Sequence, residues 1–241
     1  MAMPNIAGSK FSAALPIIGL VLMAAIFVVF LFYGFIKSMP QATTGLSSSY
    51  VTTSADPLVS KVQNLGQITQ PILRADNYTY GNKQGNVKIF EFSDFACPYC
   101  RAMSQKLKAA ADKHPEVEVV WKDFPITSLH PDSLSAHQAA RCAGEQGKFW
   151  EYHDKLFQNQ ANLSATTELS LANGLGLKPQ AFLGCLSSTG VSSSIQEDMA
   201  EGEALQIDGT PFLFVGDQRI SGLLSDEELE QVIALHAQIK P

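Results

Sequence analysis

Val87-Lys88-Ile89-Phe90-Glu91-Phe92-Ser93-Asp94-Phe95-Ala96-Cys97-Pro98-Tyr99-Cys100 is the stretch that decides the fold. It opens with a short, mostly apolar run, Val87 to Phe92, the pattern of a strand buried in the middle of a sheet. From Cys97 to about Lys113 the pattern turns helical. Pro98 falls at the first helical positions, where a missing N–H costs nothing. Val117-Glu118-Val119-Val120-Trp121 reads as a second strand. Strand, helix and strand in that order make a βαβ unit, whose two strands run parallel.

Downstream, from about Asp132 to Leu205, only helical patterns occur. Glu145 to Phe157 gathers Phe149, Trp150, Tyr152, His153, Leu156 and Phe157 on one face. Breaks are expected at Asn173-Gly174, Lys178-Pro179 and Thr189-Gly190. Strand character returns in Phe212-Leu213-Phe214-Val215, followed by a Gly216-Asp217 turn and Arg219-Ile220-Ser221. Ser225-Asp226-Glu227-Glu228 has the Ser-x-x-Glu spacing of a capping box and opens an amphipathic helix through Gln238. Neither β-containing piece can cover its own strands, so both must share one sheet. The helical block, about 131–205, becomes an insertion packed against it, and the class is α/β.

Upstream lies a different material. Phe11 to Ile36 carries no charged residue. As a helix it is about 39 Å long, enough to cross a hydrocarbon layer of roughly 30 Å with some tilt. A cleaved secretory signal has a shorter apolar core and ends in a small-x-small site, and Lys37-Ser38-Met39-Pro40 is a poor one. The expectation is a transmembrane anchor over 11–36, with 1–10 a short cytoplasmic N-terminus. Residues 37–76, rich in Ser, Thr, Gln and Gly, form a flexible tether, and the folded domain occupies 77–241. Lys10 and the terminal amine before the span outweigh Lys37 after it only slightly. A net charge of −6 over 241 residues argues against nucleic-acid binding.

The chemistry is carried by Cys97-Pro98-Tyr99-Cys100, at the junction of strand and helix. Unpaired N–H groups and the macrodipole at a helix N-terminus favour an anion, which lowers the pKa of a thiol placed there. A spacing of three puts both sulfurs on one turn, close enough to bond. Cys97 is expected at the exposed tip, attacking or being attacked, with Cys100 behind it to resolve the mixed disulfide. A zinc knuckle also begins with C-x-x-C, but no second C-x-x-C or histidine pair completes one. No metal and no cofactor are expected.

These residues resemble the DsbA-like branch of the thioredoxin superfamily, in its membrane-anchored bacterial form. The resemblance rests on Gly81-Asn82, the stretch from Val87 through C-P-Y-C, Ala143 to Phe157 with Gln146-Gly147-Lys148-Phe149-Trp150, and Gly209-Thr210-Pro211-Phe212. It implies a thioredoxin-like fold with a helical insertion and a protein-disulfide oxidoreductase activity on reduced or unfolded client proteins. It also implies a membrane redox partner that recycles the couple, and a catalytic domain on the periplasmic or extracellular side. Pro211 then corresponds to the family's cis-proline facing the C-x-x-C, and Thr210 would pair through its backbone with an extended client beside Pro98 and Tyr99. Glu91, six residues before Cys97, corresponds to the acid that moves protons to or from the buried cysteine. Lys122 is a candidate partner for it, and Asp94 reads as a strand-end or turn residue.

Cys142 and Cys185 both fall in the insertion. Four cysteines permit three pairings, and two buried free thiols are an alternative to any second bridge. Relatives with a second disulfide in this block favour Cys142–Cys185 beside Cys97–Cys100. His153 reads as core packing, and His130-Pro131 as the approach to a helix. Tyr99 brings no charge to the couple, unlike the histidine of strongly oxidising members, so a milder oxidant is expected. A disulfide reductase or isomerase on the same scaffold is the alternative, and a metal-binding or peptide-binding chaperone a more remote one.

Overall fold

The computed structural model describes residues 69–238. The anchor expected over 11–36 and nearly all of the tether lie outside them. Five strands form one sheet: β1 (Thr79–Gly81), β2 (Val87–Ser93), β3 (Val117–Asp123), β4 (Phe212–Val215) and β5 (Gln218–Ser221), in the order β1-β3-β2-β4-β5. The βαβ unit is present as read, with β2 and β3 parallel in the register Val87↔Val117 to Ser93↔Asp123. The other three pairings are antiparallel, and β4 joins β2 through Glu91↔Leu213 and Phe92↔Phe212. The two β-containing pieces therefore share one sheet, as their exposed faces require. β1, an edge strand of three residues, carries no period that the sequence could reveal.

Register decides which side chains share a face. Ile89, Glu91, Val119 and Leu213 lie on the side covered by α1 (Pro98–Lys113) and α7 (Asp226–Ala237). There Ile89, Val119, Leu213 and Val215 pack with Met103, Leu107, Leu229 and Ile233. On the other side Phe92, Phe212 and Phe214 pack with Leu205, just past α6 (Thr189–Ala204), which also contacts β3. Ser225 caps α7 with the reciprocal Ser225–Glu228 capping box that the sequence signals. At the hairpin tip Gly216 adopts φ +57, a conformation costly for a residue with a Cβ.

The insertion comprises α2 (Ser133–Gly144), α3 (Phe149–Gln158), a 3-10 turn (Gln160–Asn162), α4 (Ala165–Gly174), α5 (Pro179–Leu186) and α6. The helix expected from Glu145 begins only at Phe149. Gly147 takes φ +74, and the Lys148 amide returns to Ala143 O at 2.9 Å, so α2 is closed off before α3 starts. Cys142 on α2 and Cys185 on α5 are joined by a disulfide with a Cα–Cα distance of 5.6 Å. Closing that loop stabilises the fold by roughly 4 kcal/mol on the chain-entropy argument. Phe149, Tyr152, Leu156 and Phe157 are buried against Phe95 and Trp121, so the aromatic face of α3 grips the end of β2. Among the described residues no helix is long and apolar enough to cross a membrane.

Candidate active site

Cys97 is the N-cap of α1, with extended backbone angles, and Pro98 occupies the first turn. Cys97 and Cys100 are both free thiols. The sequence places Cys97 at an exposed tip, but only 6% of it is accessible. The reason is a segment more than a hundred residues away. The Thr210-Pro211 bond is cis, and the Cys97 thiol donates to Thr210 O at 3.4 Å, so this loop lies over the sulfur. The accessible tip is Tyr99, 63% exposed, beside the exposed Pro98.

The two thiols are electrostatically unequal. Cys97 is lowered to about 6, first by a hydrogen bond from the Cys100 thiol, then by the amides of Cys100 and Tyr99 and by Thr210, all against a burial that raises it. Cys100 is fully buried and pushed up, by burial and then by its neighbour Cys97. The Asp94 amide donates to its sulfur at 3.4 Å. Thr210 Oγ1 is buried without a hydrogen-bond partner of normal geometry, which leaves it available to a thiolate.

Glu91 is wholly buried, on the sheet face that α1 covers. Burial raises it to about 8, opposed only by the Ser93 hydroxyl, which donates to Oε1 at 3.0 Å. Its Oε2 has no partner. Ser93 is also among the groups that lower the Cys100 thiol against its burial. Strand alternation from Glu91 is the signal that would have picked out Ser93. Lys122 is not the partner of Glu91. Phe92 is its register neighbour, so Lys122 points to the opposite face. There it bonds Ile72 O at 2.7 Å, Glu201 at 3.1 Å and Asp198 at 3.3 Å.

Asp94 directly follows β2, as a strand-end residue does, and it does more than end a strand. It is buried and accepts from the amides of Ala96 and Ile126, from Ser133 Oγ and from His130. Burial opposes its ionisation, but His137 and those bonds hold its pKa below the usual value. His153 is core, as expected: 1% exposed, packed edge-on to Trp121 and Phe157, and bonded to Ser104 Oγ at 2.9 Å. Among the described residues no three His, Cys, Asp or Glu side chains converge to hold a metal ion.

A family model described as Thioredoxin matches residues 74–234. Among curated proteins, Na(+)/H(+) antiporter NhaA 1 of Salinispora arenicola is 28% identical over 179 residues, covering 74% of this chain. The chain spans only 28% of that protein's length. Among solved structures, a thioredoxin-like oxidoreductase from Silicibacter pomeroyi shares 27% identity at a TM-score of 0.62, over 69% of this chain and 95% of that one. The thiol-disulfide exchange protein alpha-DsbA2 from Wolbachia pipientis is 21% identical, with a TM-score of 0.62 over 74% of this chain and 94% of its own. At that identity the likeness is one of fold.

Proposed function

Because the chain belongs to the thioredoxin family and is a thiol-disulfide oxidoreductase by fold and cysteine pair, we propose that it oxidises client-protein cysteines to disulfides outside the cytoplasm. The observation that carries this reading is one sulfur at a helix N-cap beneath the Thr210-Pro211 loop, with a second sulfur buried behind it.

In the oxidised enzyme Cys97 and Cys100 share a disulfide. A client thiolate attacks Cys97 Sγ, the Cys97–Cys100 bond breaks, and Cys100 leaves, taking up a proton. A second client thiolate then attacks the client sulfur of the mixed disulfide. The client disulfide forms, Cys97 leaves as a thiolate, and two electrons remain on the enzyme as the dithiol. A membrane redox partner removes those electrons. Glu91, through Ser93, exchanges the proton that Cys100 takes up or gives away, a role suited to a carboxyl near pH 8. Thr210 presents its backbone to an extended client across Pro98 and Tyr99.

Direction follows from which form is favoured. The folded Cys97 pKa lies below that of an ordinary thiol. Its ionisation therefore stabilises the dithiol fully above the unfolded pKa, and this is lost as pH falls through about 6. Stabilising the dithiol makes the disulfide an oxidant. A lowered Cys97 thiol is in keeping with an oxidant, and Tyr99, which supplies no charge, with a mild one. The Cys142–Cys185 bridge and the uncharged span Phe11–Ile36 support a membrane-anchored domain in an oxidising compartment.

Equilibration with glutathione tests the direction. We expect a reduction potential between about −200 and −120 mV, alkylation of Cys97 half-maximal near pH 6, and loss of client oxidation in Cys97→Ser. A potential near the thioredoxin value of about −270 mV would make the protein a reductase instead.

A further inference from the structure

The turn that carries Cys97 is held on both sides by side chains. Its amides are served by Asp94, whose Oδ1 accepts from Ala96 N at 2.8 Å and whose carbonyl accepts from Cys97 N at 3.0 Å. Its carbonyls are served by Gln160, in the insertion. Gln160 Nε2 donates to Phe95 O at 2.7 Å and to Cys97 O at 2.8 Å. An amide nitrogen has two hydrogens, and facing two carbonyl oxygens it can be oriented in only one way. Cys97 O also accepts the first bond of α1, from Arg101 N at 3.2 Å. The same short segment thus fixes where the helix starts and where the sulfur points.

We propose that Gln160 is a positioning residue for thiol-disulfide exchange, spending both amide hydrogens to hold the Cys97 turn so that Sγ stays beneath the Thr210-Pro211 loop at the N-terminus of α1. The insertion is then more than a cover. Its aromatic face clamps Phe95, whose ring lies 5.1 Å from Phe157, and three residues later Gln160 clamps the backbone on either side of Ala96. Without the amide, Phe95 O and Cys97 O turn toward water and the segment relaxes. The sulfur then drifts from the N–H groups that stabilise its anion. The thiolate weakens, and with it the preference for the dithiol. The inference rests on exchange at Cys97 but not on the direction of that exchange.

Gln160→Ala and Gln160→Glu in the full-length protein test it, read by the pH midpoint of Cys97 alkylation and the equilibrium constant with glutathione. Gln160→Ala should move the midpoint up by about half a unit. The equilibrium constant should shift about threefold toward the disulfide, or about 15 mV. Gln160→Glu keeps the volume but faces two carbonyl oxygens with a carboxylate, so it should exceed the alanine effect at pH 7 and above. Wild-type midpoint and equilibrium constant in both variants would overturn the proposal, even if urea unfolding midpoints fell, since Gln160 would then only support the fold. The alkylation midpoint reads Gln160 whether the couple proves oxidising or reducing, so this inference and the assigned direction fail separately.

Discussion

Glu91 and Lys122 lie on neighbouring strands one register step apart, both inaccessible to solvent, and the protein treats them in opposite ways. Lys122 faces α6, where a backbone carbonyl and two carboxylates serve its ammonium. Those carboxylates are shared with Arg74, and Asp198 also with Arg141 at 2.9 Å. The network ties Ile72 and Arg74, at the start of the described domain, to β3 and the insertion. Glu91 faces α1 with one hydrogen bond and one oxygen unserved. A buried charge saturated with partners holds a shape. One left half-served can change its protonation state, which is what the proposed proton exchange with Cys100 requires.

The largest expected effect breaks the saturated side. Lys122→Met removes the ammonium and leaves Asp198 and Glu201 buried with fewer partners. Removing one partner from a buried ion pair typically costs about 3–5 kcal/mol, and Arg74 and Arg141 keep these carboxylates from being left wholly unpaired. Urea denaturation should register that loss while the alkylation midpoint of Cys97 stays in place. A loss below about 1 kcal/mol, the surface ion-pair range, would dissolve the contrast between the two faces.

Glu91→Gln should act in the other direction. Between the ordinary carboxyl value of 4.5 and about 8 the folded protein keeps a proton that the unfolded chain releases. Stability therefore falls as pH rises through that window and levels off above it. Glutamine has no proton to keep. At pH 7 the variant should be the more stable by on the order of 3 kcal/mol, with the difference vanishing near pH 4. Its mixed disulfides should resolve more slowly. A stability difference that does not vary with pH would mean that Glu91 ionises normally despite its burial.

The elements legible from the sequence were those whose signals are local. The β2–α1–β3 unit, the hairpin at Gly216-Asp217 and the Ser225 capping box each depend on neighbouring residues, and each is in place. Pairing Glu91 with Lys122 failed because it required a register, and a shift of one residue sends a side chain to the other face. The burial of Cys97 is imposed by Thr210-Pro211, and the clamp on its turn by Gln160. Nothing near Cys97 in the chain announces either. Glu145 looked helical because its composition is, whereas the left-handed Gly147 two residues later ends the possibility.

The smallest effect probes how far Glu91 depends on its one partner. The Ser93 hydroxyl favours the ionised carboxylate, so removing it should raise Glu91 beyond about 8. Ser93→Ala should cost about 1 kcal/mol at pH 9, where the carboxylate is charged, and less at pH 5, where it is neutral. The pH at which Cys100 attacks a mixed disulfide at half its maximal rate should rise with it, because the carboxyl proposed to exchange the Cys100 proton is then protonated over a wider range. Ser93→Thr keeps a hydroxyl and should restore both. Cys97 should alkylate as before, since Ser93 bonds Glu91 and lowers Cys100 but is not among the groups that lower Cys97. If Ser93→Ala shifts Cys97 and leaves Cys100 resolution unchanged, then the serine supports the turn. The half-served carboxyl would then have no route to the Cys100 sulfur.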